Sequence, residues 1–120
     1  MSITKHFSFL AIAIFSFLLL NTQTFASDEQ LVDQGRSVII DVRTPEEYNA
    51  GHIEGAVNIN YTDIASGIEM LVPDRDTTIQ LYCKSGRRAG IAKETLEKMG
   101  YKNVVNEGGF REFQDKLKSQ

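Results

Sequence analysis

The sequence predicts an α/β fold: a mainly parallel central sheet of four to five short strands with helices on both faces. Three observations carry that expectation. Short β-branched runs alternate with segments of helical period, and such alternation builds parallel sheets with crossover helices. Thr44-Pro45-Glu46-Glu47 is a capping box with proline at the first helical position. The strand-like run ending at Cys83 passes through a glycine-bearing loop directly into the clearest helical segment of the chain.

Four segments read as strands: Val38-Ile39-Ile40-Asp41-Val42, Ala56-Val57-Asn58-Ile59, Ile79-Gln80-Leu81-Tyr82-Cys83 and Asn103-Val104-Val105. The helix started by the capping box is short, and Gly51 suits a left-handed residue after it. Ile64, Ile68 and Leu71 share one face of a second helix, which Gly67 weakens. A third runs from Arg88 to Met99. Its apolar face is Ala89, Ala92, Leu96 and Met99, and Glu94 stands four before Lys98 in the favourable order on the other. Gly100 ends it. A last helix follows Gly108-Gly109, with Phe110, Phe113 and Leu117 facing inward. Ser27-Asp28-Glu29-Gln30 begins a short leading helix that stops at Gly35.

The chain has 120 residues, too few for two ordinary domains. Its start has the layout of a secretory signal peptide. Lys5 and His6 precede an apolar run from Phe7 to Leu20, broken only by Ser8 and Ser16, and Thr24-Phe25-Ala26 offers small residues to a signal peptidase. The run is 14 residues, whereas a membrane-spanning helix needs about 20. Residues 1–26 are therefore expected to be removed, with export to the periplasm and no stable membrane association afterwards. Cleavage would take one of the 13 basic residues and none of the 16 acidic ones, leaving Ser27–Gln120 at a net −4. That acidity argues against nucleic acid as a partner. Any anion must be held by a local positive site.

There is one cysteine. It cannot form an internal disulfide, so it is either a small buried hydrophobe or a reactive thiol. Its neighbours favour the second reading. Cys83 ends a strand, and ligands in open α/β sheets bind beyond the carboxyl ends of strands. The loop Lys84-Ser85-Gly86-Arg87 then opens the Arg88–Met99 helix. A helix start directs free N–H groups and partial positive charge at the loop. Gly86 permits a backbone curl that converges such N–H groups into an anion nest. Lys84, Arg87 and Arg88 add cations. Each favours a thiolate over a thiol, and the same cradle would bind an anionic substrate or leaving group. Basic residues at a helix start oppose its dipole, so helix stability does not explain them.

Cys83-x-x-Gly86-x-Arg88 resembles the active-site loop of the rhodanese family. Asp41-Val42-Arg43-x-Pro45-x-Glu47-Tyr48-x-x-Gly51-His52-Ile53-x-Gly55-Ala56-x-Asn58-Ile59 resembles that family's amino-terminal signature, and Gly108-Gly109 before a helix its carboxy-terminal one. The single-domain form with a signal peptide is similar to periplasmic members of the phage-shock group. One departure is Phe113, where relatives often carry tryptophan; it reads as a core substitution that leaves the chemistry alone. The resemblance implies a rhodanese-like domain over 27–120 and a thiosulfate sulfurtransferase. Cys83 would take the outer sulfur of thiosulfate as a persulfide and pass it to cyanide or a thiol. Lys84, Ser85, Gly86, Arg87 and Arg88 would bind the substrate, with no metal or organic cofactor.

Asp41 and Arg43 are supporting candidates. Asp41 would accept hydrogen bonds that brace the catalytic loop or serve as a structural cap. Arg43 and Glu47, four apart, would pair. His52 follows a helix-ending glycine and has a structural reading. With His6 in the signal segment, a metal site is not expected. Two rivals remain. A cysteine phosphatase or arsenate reductase also uses an anion-binding cysteine loop, but places five residues between cysteine and arginine, where this chain has four. A persulfide relay or binding module would act only with a protein partner.

Overall fold

The structure is a computed structural model that describes residues 37–120. The expected signal peptide and the leading helix after Ser27 lie outside the described residues. Within them the order is β1 (Val38–Asp41), α1 (Pro45–Ala50), β2 (Val57–Asn58), α2 (Ile64–Leu71), β3 (Ile79–Cys83), α3 (Arg87–Lys98), β4 (Val104–Gly109) and α4 (Phe110–Lys118).

The four strands form one parallel sheet in the order β2-β1-β3-β4. The chain leaves β1 towards one edge and crosses back to β3, so the topology reverses between β1 and β3. Ligand crevices form at such a point, and here it is framed by the loops after Asp41 and after Cys83.

Side chains alternate across the sheet. Ile40, Val42, Ile79, Leu81 and Cys83 face α2 and α3, where they pack against Ile64, Ile68, Ala89, Ala92 and Leu96. Ile39 and Tyr82 face the other way, towards Ile53, Ala56 and α4, which contributes Phe113 with Phe110 and Leu117. Helices thus cover both faces. Phe113 is buried against Tyr82, with ring centroids 5.8 Å apart.

Four local expectations need correction. β4 continues past Val105 to Gly109, because Gly109 pairs with Cys83 across a register shift in β3. That bulge puts an extra residue into β4, a device common beside active sites. Gly51 adopts φ 157° and ψ 133°, an open conformation in place of the left-handed helical one. Leu71 is 38% exposed because α2 ends there and Val72 takes the core position. On α3 the pair that forms is Lys93–Glu97 at 3.9 Å, not Glu94–Lys98.

Candidate active site

Cys83 is the last residue of β3 and is 1% exposed. The chain then turns through Lys84 and Ser85, both exposed, to Gly86, the N-cap of α3. Gly86 has φ 95° and ψ −17°, left-handed angles that glycine adopts without strain. This turn brings the Gly86 N–H to 2.9 Å from Cys83 Sγ. The backbone N–H groups of Lys84, Ser85, Arg87 and Arg88 have no acceptor among the described residues. They are the unpaired donors of a helix start and its loop.

The cations divide into two kinds. Lys84 and Arg87 are exposed and join no ion pair among the described residues. Arg88 is half-buried and committed: Nη1 donates to Glu47 Oε1 at 2.7 Å and Nη2 to Oε2 at 3.0 Å. Arg88 hydrogen-bonding, aided by Thr44 bonds and opposed by burial, holds the Glu47 carboxyl at about 2. The same pair raises Arg88 above its ordinary value, with a smaller contribution from Cys83. Arg88 therefore anchors the loop from outside.

Glu47 reaches Arg88 because of the capping box. The Glu47 N–H donates to Thr44 Oγ1 at 3.2 Å, and the Thr44 N–H donates back to Glu47 Oε1 at 3.3 Å. The first turn of α1 thereby presents a fixed carboxylate to the first turn of α3.

The expected Arg43–Glu47 pair does not form. Arg43 is buried and turns to Asp41: Nη2 lies 2.6 Å from Oδ2, and Nε bonds both carboxylate oxygens. Its Nη2 also donates to the Gly51 carbonyl at 2.7 Å, and its guanidinium lies 4.7 Å from the Phe110 ring centroid. Asp41 also accepts the Arg43 N–H at 2.9 Å. Of its two expected roles, the carboxylate performs the cap of its own turn, and its hydrogen bonds do not reach the cysteine loop. A two-residue spacing at a strand end makes the bidentate Asp41–Arg43 contact shorter than any reach along α1. His52 is structural: it stacks on Tyr48 with ring centroids 3.7 Å apart, and Nδ1 lies 2.8 Å from the Tyr48 carbonyl.

Beside the cysteine loop lies an open groove of about 680 Å³, lined by Arg43, Glu47, Lys84, Gly109, Phe110 and Arg111, with Ala50 and Glu112. Gly109 is Cys83's partner across the sheet, although Cys83 itself does not line the groove. No group of three His, Cys, Asp or Glu side chains that could hold a metal occurs among the described residues.

Two residues of the site were not singled out from sequence. Asn106 donates from Nδ2 to the Gly86 carbonyl and accepts the Gly108 N–H at Oδ1, both at 2.9 Å. Asn58 Nδ2 donates to the carbonyls of Asp41 and Arg43, both at 3.0 Å, bracing the loop after β1. Asn58 did stand in the amino-terminal signature, whereas Asn106 offered only an asparagine beside a β-branched run, where asparagine is disfavoured.

Residues 26–116 match the rhodanese-like domain family. The chain is 45% identical over 74 residues to thiosulfate sulfurtransferase PspE of Escherichia coli, an alignment covering 62% of this chain and 71% of that one. A solved rhodanese with anions from E. coli superposes with a TM-score of 0.63 at 43% identity, covering 64% of this chain and 91% of the other. The human single-domain sulfurtransferase TSTD1 superposes at 0.57 with 26% identity, covering 77% and 93%. A family match over most of the length, carried on the parallel sheet and cysteine loop described above, establishes that this chain belongs to the rhodanese-like domain family.

Proposed function

We propose that this protein is a thiosulfate sulfurtransferase in which Cys83 carries the transferred sulfur. The observation that supports it best is the Gly86 N–H on Cys83 Sγ at 2.9 Å, beside four further N–H groups without acceptors among the described residues. Donors of this kind stabilise a thiolate and then the terminal sulfur of a persulfide. The Cys83 thiolate attacks the outer sulfur of thiosulfate. The S–S bond of thiosulfate breaks, sulfite departs with the electron pair, and Cys83 becomes a persulfide anion. Cyanide then attacks the outer sulfur and leaves as thiocyanate, or a thiolate takes it and leaves as a new persulfide. Either step returns the Cys83 thiolate, giving two half-reactions.

In this reading Lys84 and Arg87 draw the anionic donor to the rim, and the backbone from Lys84 to Arg88 holds it. Asp41 and Arg43 keep the adjoining loop rigid. Phosphatase or arsenate chemistry is disfavoured by Arg88. An oxyanion-clamping arginine needs its fork free for the ligand, and both Nη atoms here are on Glu47.

The protein is further proposed to act in the periplasm after loss of residues 1–26, on the strength of the apolar run and the Thr24-Phe25-Ala26 site. No helix among the described residues is long and apolar enough to cross a membrane. The test of sulfur carriage is an intact mass of the purified protein before thiosulfate, after thiosulfate, and after a subsequent thiol. Gain of one sulfur atom and its loss to the thiol is the expected result; an unchanged mass in the presence of thiosulfate overturns the reading. Turnover with thiosulfate and cyanide alone separates a free-standing enzyme from a partner-dependent relay.

A further inference from the structure

We infer that Asn106 is a positioning residue for sulfur transfer, holding Gly86 so that its N–H points at Cys83 Sγ. The inference rests on the reading of Cys83 as the sulfur carrier, and concerns what keeps that cysteine's loop in its working shape.

Gly86 has a demanding task. It alone supplies the N–H seen on Sγ, yet glycine is the residue with most backbone freedom. No side chain of its own helix fixes it, because the N-cap of α3 makes no side-chain capping bond. The side-chain restraint comes from β4. Asn106 Nδ2 donates to the Gly86 carbonyl at 2.9 Å, and the Gly90 N–H donates to the same oxygen at 2.9 Å. Both acceptor sites of that carbonyl are then occupied, which fixes the peptide leaving Gly86. At its other end Asn106 Oδ1 accepts the Gly108 N–H at 2.9 Å. The side chain thus clasps the loop on one side and the β4 bulge on the other.

The amide orientation follows from its partners. A backbone carbonyl only accepts and a backbone N–H only donates, so a flipped amide would lose both bonds. The packing is close enough for the clasp to constrain the loop. A Cβ on Gly86 would meet Gly108 Cα at 3.4 Å and Asn106 Oδ1 at 3.8 Å, and a Cβ on Gly90 would meet Asn106 Nδ2 at 3.5 Å. Asn106 is itself exposed, so truncating it opens no core cavity, and its loss should act on loop geometry more than on folding.

The experiment compares wild type, Asn106→Ala and Asn106→Asp, each shown folded by circular dichroism. Single-turnover sulfur loading from thiosulfate is measured by mass. The rate of Cys83 alkylation by iodoacetamide is measured across pH, a readout that reports the N–H on sulfur and that a purely structural contact would leave alone. Asn106→Ala is expected to load sulfur about tenfold more slowly, with the pH of half-maximal alkylation moved upward. Asn106→Asp keeps an acceptor for Gly108 but sets a carboxylate against the Gly86 carbonyl, so its loss should equal or exceed that of alanine. Should the alanine variant not fold, the aspartate variant carries the same comparison. Loading within twofold of wild type overturns the inference. Slower loading with an unmoved alkylation profile also overturns it, since the effect would then not run through the Gly86 N–H. A wild type that takes no sulfur from thiosulfate is a different failure, that of the Cys83 reading itself.

Discussion

Arg88 and Glu47, 41 residues apart in sequence, meet in a two-pronged ion pair with Nη1–Oε1 at 2.7 Å and Nη2–Oε2 at 3.0 Å. The pair ties the first turn of α3, which carries the cysteine loop, to the capping box of α1. It joins the two loops that frame the crevice between β1 and β3.

Glu47→Gln should therefore lower stability at neutral pH by about 1 kcal/mol, the scale of a well-formed, partly exposed ion pair. The sign with pH follows from the Glu47 carboxyl, which Arg88 lowers to about 2 from an ordinary 4.5. A group depressed on folding contributes stability above its unfolded value, and that contribution disappears as pH falls towards the folded one. Thermal melts of wild type and variant should differ at pH 6 and converge between about pH 4.5 and about pH 2. A difference that grows on acidification would contradict the assigned pairing.

Cys83→Ser should abolish sulfur transfer while leaving the circular dichroism spectrum unchanged. The chain has no second cysteine to substitute, and serine is close to cysteine in volume, so the 1% exposed site suffers little packing loss. Persistent transfer of sulfur from thiosulfate by the variant would sink the role given to Cys83.

Gly109→Ala should be damaging although glycine-to-alanine changes are usually mild. A Cβ at 109 would stand 2.5 Å from the Lys84 carbonyl oxygen, and that oxygen is backbone of the cysteine loop. Either β4 or the loop must move. The expected stability loss is about 1–3 kcal/mol, the range of overpacking in a tight site, with transfer activity falling further than stability. Chemical denaturation and thiosulfate:cyanide turnover would separate the two effects; a variant equal to wild type in both would show that the contact is relieved at no consequence.

Much of this architecture was legible because it is local. The run Ile79–Cys83 alternates in period two and is bounded by turn residues, so its strand and the following helix could be placed. Thr44 and Glu47 are three apart, and their capping box forms as the spacing predicts. Pairings between distant segments were not legible. Glu47 has Arg43 four residues away as an evident partner, but Asp41 sits nearer to Arg43 at the end of β1 and leaves Glu47 free for Arg88. β4 looked finished at Val105, because Gly108 and Gly109 read only as the lead into the last helix. Only the neighbouring strand explains why they extend it: a side chain at 109 cannot fit against Lys84. Asn106 was passed over for the same reason, since its amide donates to the Gly86 carbonyl in the loop after β3.

The exported protein should begin at Ser27. The motive is the 14-residue apolar run ahead of Thr24-Phe25-Ala26. N-terminal sequencing of protein recovered from the exporting cell would read Ser27-Asp28-Glu29. A chain beginning at Met1 in the membrane fraction would show the segment to be an anchor.

The final prediction concerns the length of the cysteine loop. Four residues lie between Cys83 and Arg88, and both ends are fixed: Cys83 by its pairing with Gly109 and Arg88 by Glu47. An extra glycine between Ser85 and Gly86 cannot be absorbed by sliding either end, so it must bow the loop outward. The Gly86 N–H would then leave Sγ. Donors that stabilise charge act near ~3 Å, and a displacement of ~1 Å can cost about a hundredfold in rate. The insertion should therefore leave a folded domain, by circular dichroism, that transfers sulfur from thiosulfate to cyanide at least tenfold more slowly. A wider ring could admit a tetrahedral oxyanion, but Arg88 stays on Glu47 and no acid is placed for a leaving group. Aryl-phosphate hydrolysis should accordingly remain negligible in parent and variant alike. If the folded insertion variant matched its parent in sulfur transfer, or if the parent hydrolysed aryl phosphates efficiently, loop length would not be what selects the chemistry of this site.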